Sequence, residues 1–220
     1  MKHLKFLCAS TSMLLASAAM AGEKTADLLV TGSIAPGAAC STSIPAALSL
    51  GTIARGMLNP DPSKPTELET QRVRLTVACP QAMRFAFITR EASSQASPDS
   101  AYPMYADESG KQMGRFYLRI DNASTKIDGA TGYPTASDRK TGLEQATWGP
   151  SMPEAVTLPI PNNLFAVGFV DEPDSTKVPM NIKDLTTALL VTPQISPVDE
   201  LDLSTTTEFS SNLGLEIVYF

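Results

Sequence analysis

The chain has 220 residues, with 17 basic against 23 acidic side chains, one histidine and three cysteines. The resulting net charge of −6 argues against nucleic acid or anionic membrane as a partner. The N-terminal apolar run is too short for a membrane helix, and no later stretch reaches the roughly 18 apolar residues that one needs.

The first 21 residues read as a secretory signal: Lys2, His3 and Lys5 precede an apolar run to Ala18, and Ala19-Met20-Ala21 fits the small-x-small cleavage rule. Cleavage before Gly22 leaves 199 residues, 15 basic against 23 acidic, a net charge of −8. It also removes the sole histidine, His3, and leaves only Cys40 and Cys79. In an exported chain an even pair reads as a disulfide, two free thiols being the alternative. Closing that loop is worth roughly 4 kcal/mol by the chain-entropy model.

Short runs rich in Val, Ile, Phe, Tyr, Leu and Thr then alternate with Pro, Gly, Asp and Ser clusters, which predicts an all-β sandwich. The expected strands are 26–36, 47–54, 71–79, 82–90, 114–121, 164–170 and 213–220, with weaker runs near 155–159 and 188–195. Ile182 to Leu190 fits a short helix, weakened by Thr186 and Thr187. The polar stretches 91–113 and 121–153, with Pro98, Pro103, Pro134 and Pro150, read as insertions or surface loops. A single domain is expected, covering 32–220 after a short extension at 22–31.

Chemistry-bearing constellations are few. Without a histidine after cleavage, Ser-His-Asp and Cys-His arrangements are excluded and a zinc site lacks its commonest nitrogen ligand, so no enzyme is expected. Asp171, Glu172 and Asp174, interrupted by Pro173, read as a solvated turn, as do Asp199, Glu200 and Asp202. No metal is expected. Trp148 with Tyr133 reads as a partly buried loop anchor before a sugar-stacking platform. Asn122-Ala-Ser124 has the form of a glycosylation acceptor but reads as incidental.

Three alternating segments remain: Ala26-Asp-Leu-Leu-Val-Thr-Gly-Ser-Ile34, Val73-Arg-Leu-Thr-Val-Ala-Cys79 and Leu213-Gly-Leu-Glu-Ile-Val-Tyr-Phe220. Their order, the Gly32-Ser-Ile-Ala-Pro-Gly-Ala-Ala-Cys40 run, a second cysteine closing a strand and the penultimate Tyr219 together resemble the pilin subunits of chaperone–usher fimbriae, in the β-fimbrial major-subunit-like branch. The resemblance implies an incomplete immunoglobulin-like β-sandwich of the pilin type with an N-terminal donor-strand extension, and no cofactor. A sandwich short of one strand exposes backbone groups and an apolar groove that another chain fills by strand addition. The implied donor residues are Ala26, Leu28, Val30 and Gly32. The implied groove and chaperone-recognition strand carries Leu213, Leu215, Ile217, Tyr219 and Phe220. The implied partners are a periplasmic chaperone, an outer-membrane usher and neighbouring subunits, without nucleic acid. The chain would cross the periplasm into a fimbrium at the cell surface and serve adhesion or biofilm. The alternative is a secreted or periplasmic β-sandwich binding module, adhesin-like or a coat protein.

Overall fold

Alternation is strongest in the longest strand, Gln71–Glu91. There Val73, Leu75, Val77 and Cys79 are buried while Arg72 and Arg74 stay exposed, as a two-residue side-chain period requires. The computed structural model describes residues 39–45, 47–91, 101–106, 109–139, 141–152, 156–157 and 166–220. We number the strands in chain order. The first six are β1 (Ser41–Ser43), β2 (Thr66–Glu67), β3 (Gln71–Glu91), β4 (Tyr102–Ala106), β5 (Gln112–Ile127) and β6 (Ala130–Thr131). The remainder are β7 (Tyr133–Ala136), β8 (Val156–Thr157), β9 (Val167–Val170), β10 (Asn181–Ile195), β11 (Phe209–Ser210) and β12 (Leu213–Tyr219). The fold is all-β, and the pairings are antiparallel.

β3 organises everything else. Its first half pairs with β10, and the sheet continues through β5 and β4 to β11. Its second half pairs with β12 along Phe85–Glu91 and touches β9 at Phe87, with β7 beyond β9. The change of sheet happens at residues 79–82, where Ile182 opposes Met83 but Asp184 already opposes Ala78. Pro80 sits in this irregularity, where its missing N–H costs no ladder bond. The two sheets thus share a strand and enclose one core in a sandwich-like arrangement. Val73, Leu75, Leu118, Ile120 and Leu189 come from the first sheet, and Phe85, Phe87, Val167 and Phe169 from the second. Phe87 meets Phe85 and Phe169 edge-on, with ring centres 5.9 and 5.8 Å apart. The Cys40–Cys79 disulfide is formed and ties the segment entering β1 to the middle of β3.

Several sequence expectations are corrected. Residues 47–54 form no strand; the segment has no sheet partner and Gly51 turns it at φ 66°. The separate strands 71–79 and 82–90 are one strand, β3, because the bulge replaces a turn. Ile182–Leu190 is not a helix but most of β10, since it lies between β3 and β5, where sheet pairing on both edges overrides a marginal helical pattern. The polar stretches are not mere loops. The first contains β4, and the second supplies the end of β5, then β6 and β7, and buries Asn122, Thr125, Thr135 and Ser137. Several of these polar groups are satisfied internally, for example Thr125 Oγ1 with Thr187 Oγ1 at 2.7 Å and Thr135 Oγ1 with the Gly149 carbonyl at 2.7 Å, which is why a polar sequence can be structural. The expected strands at 114–121, 164–170, 155–159, 188–195 and 213–220 correspond to β5, β9, β8, β10 and β12, with shifted ends. The signal segment 1–21 and the strand expected at 26–36 lie outside the described residues.

Candidate functional site

A groove of about 1120 Å³ lies against the inner face of the first sheet. Val73 of β3, Leu189 and Val191 of β10, and Phe116 and Leu118 of β5 form this floor, with Met104 and Met113 at one end. One wall is the irregular segment after β1, where Ile44 and Leu48 stay exposed, each at 42%. The other wall is Leu201 to Asn212 together with Leu213 and Leu215 at the start of β12. Scattered apolar side chains on a surface need no explanation, but an apolar floor with apolar lips is a binding feature.

The rim is polar. Asp202 accepts hydrogen bonds from Ser204 Oγ at 2.6 Å and from the Ser204 backbone N–H at 3.0 Å. These bonds, with a smaller contribution from the charge of Lys111, hold its carboxyl below the usual carboxylate range. At neutral pH Asp202 is ionised, on a lining that also holds Arg55 and Glu208.

β12 places the residues expected on the C-terminal strand in three environments. Leu213 and Leu215 line the groove. Ile217 and Tyr219 share their face but pack further along, against the main core. The Tyr219 hydroxyl accepts the Cys40 backbone N–H at 2.9 Å, so the end of β12 is fastened beside the disulfide. Phe220 points the other way. Its ring stacks on Trp148 with centres 5.7 Å apart and planes 14° apart, and the Arg84 guanidinium lies 6.0 Å from its centre. Val218 packs with Phe220 against Ala86, Ile88, Leu143 and Trp148, a second cluster on the outer face of this sheet. Both faces of β12 are therefore covered. Among the described residues β12 pairs with β3 alone.

The donor candidates Ala26, Leu28, Val30 and Gly32 lie outside the described residues. Trp148 is 3% exposed beneath Phe220, which removes it as an open sugar platform, and half-buried Tyr133 pairs with Val170. Asn122 is buried, and its amide donates to the Met152 carbonyl at 2.9 Å, an environment that blocks glycan attachment. Asp171, Glu172 and Asp174 sit in an exposed turn where Glu172 pairs with Lys177 at 2.7 Å. Among the described residues no three His, Cys, Asp or Glu side chains converge as a metal site.

No family model, curated protein or solved structure matches this chain. The groove floor was legible as alternation in 71–79 and 114–121 and as the weaker run near 188–195. Leu48 fell within the strand expected at 47–54, and Ile44 lay outside every expected strand, so neither marked a groove wall. The wall at 201–212 carried no sequence signal.

Proposed function

We propose that the chain is a structural subunit of a chaperone–usher fimbria, an immunoglobulin-like domain short of one strand and polymerised by donor-strand exchange. The single observation that supports this reading most is the apolar groove that Leu213 and Leu215, at the start of β12, help to line. A strand added there gains both main-chain pairing and side-chain burial. At about 1120 Å³ the groove is large enough to take an extended segment. In this reading Ala26, Leu28, Val30 and Gly32 of a neighbouring subunit supply the filling strand. Burying Leu28 and Val30 contributes roughly 3–6 kcal/mol. During transit a periplasmic chaperone lends a strand instead, and β12 with Tyr219 and Phe220 is the element it captures.

The test is periplasmic expression with and without a cognate chaperone, in the whole chain and in a form lacking residues 22–31. The expected result is poor solubility alone and rescue by the chaperone. The deletion should abolish polymerisation while sparing chaperone capture. A stable monomer that needs no chaperone would refute the proposal.

A further inference from the structure

The two walls of the groove are unequal in build. The first, after β1, is fastened at both ends. The Cys40–Cys79 disulfide and the pairing of β1 with β3 fix its start. At its far end the Asn59 backbone N–H donates to Thr66 Oγ1 at 2.7 Å, and the Asn59 amide donates to the Pro65 carbonyl at 3.1 Å. The second wall is held more lightly. Residues 201–213 all line the groove, yet from Leu201 to Asn212 the backbone is irregular apart from β11. That strand has two residues, Phe209 opposite Ala106 and Ser210 opposite Tyr105. The bonds from Ser204 to Asp202 lie within the wall itself.

Sequence adds to the contrast. No glycine or proline occurs between Leu201 and Asn212 to fix the course of the chain. Its middle, Ser204-Thr-Thr-Thr-Glu208, is rich in β-branched residues that favour an extended chain, but among the described residues it enters no ladder. The apolar side chains stand at the two ends of the segment. Leu201, Leu203 and Phe209 are half-buried on the groove, whereas Ser204, Thr205, Thr206 and Glu208 are exposed.

We infer that residues 201–212 form a strap that rests on the empty groove and moves aside to admit the filling strand. While the groove is empty, Leu203 and Phe209 stand in for apolar side chains of that strand and limit the exposed apolar surface, which is otherwise a liability. Opening the strap releases a two-residue ladder and a few half-buried side chains, whereas an added strand gains a longer ladder and fuller burial. The opening step therefore governs how fast a strand enters, as lid motions govern access to many sites. This rests on an added strand being what fills the groove; the strap names the element that moves.

The test follows uptake of a labelled synthetic peptide of sequence 26–34 by the whole exported chain, chaperone-bound or free. The double variant Y105C/S210C puts thiols at directly opposed positions of antiparallel strands, within disulfide reach. With that bridge closed, as verified by peptide mapping, uptake should slow on the order of tenfold against S210C alone. F209A loosens the strap and should speed uptake about threefold. A wall that never moves predicts otherwise: no effect of the bridge, and weaker binding by F209A because lining surface is lost. Equal uptake with and without the bridge, or unchanged or slower uptake by F209A, would overturn the strap and leave the filled groove standing. In the unmodified chain, amide hydrogens of 202–212 should exchange roughly a hundredfold faster than those of Leu213–Tyr219. Protection equal to that of β12 would also overturn the strap. No uptake by any form, the unmodified chain included, would remove the filling strand and the strap together.

Discussion

Truncating Tyr219 in two steps separates a docked terminus from a frayed one. The Tyr219 hydroxyl accepts the Cys40 N–H at 2.9 Å, and its ring packs against the main core from a half-buried position. Tyr219→Phe removes only the hydrogen bond, which is worth about 1 kcal/mol net. Tyr219→Ala removes the ring as well, and with partial burial the total cost is about 3 kcal/mol. For a domain of this size each kcal/mol lowers the melting temperature by about 2–4 °C. The Phe variant should therefore melt about 2–4 °C below the parent and the Ala variant about 6–12 °C below it. Circular dichroism of the same purified form, chaperone-bound or free, reads both. Equal melting temperatures for parent and Tyr219→Ala would refute the docking of β12 beside the disulfide. A Phe variant as damaged as the Ala variant would show that the ring contributes nothing.

Replacing Cys40 and Cys79 together by serine should lower unfolding stability by roughly 4 kcal/mol, read as a reduced urea midpoint. An unchanged midpoint would show that the sheets hold without the staple. Deleting Phe220 should shift the emission of Trp148, the only tryptophan, to longer wavelength, since its ring loses the stacked cover. Identical emission spectra would place Phe220 away from Trp148. Phe87→Ala should cost about 3–5 kcal/mol in the subunit itself, because Phe87 is 1% exposed between two other rings. Val191→Ala on the groove floor should cost much less there and instead weaken capture of an added strand, measured by peptide competition. A Val191 variant as unstable as the Phe87 variant would argue that the groove floor is ordinary core.

The sequence by itself determined the strand content wherever one face is buried. Val73, Leu75 and Val77 against Arg72 and Arg74 needed no tertiary information, because a period of two has one reading. Leu213 to Tyr219 was legible for the same reason, and the disulfide followed from an even cysteine pair in a chain read as exported. Only the tertiary structure decided the rest. That 71–79 and 82–90 are one strand depends on which partners meet at the Ala78–Met83 irregularity. That Ile182–Leu190 is strand depends on β3 and β5 lying on either side of it. Alternation showed Val218 and Phe220 pointing away from the core, but not that Trp148 and Leu143 from a polar stretch would cover them. The groove is likewise a product of register, which sets Val191 of β10 beside Leu118 of β5, and no local pattern encodes that pairing.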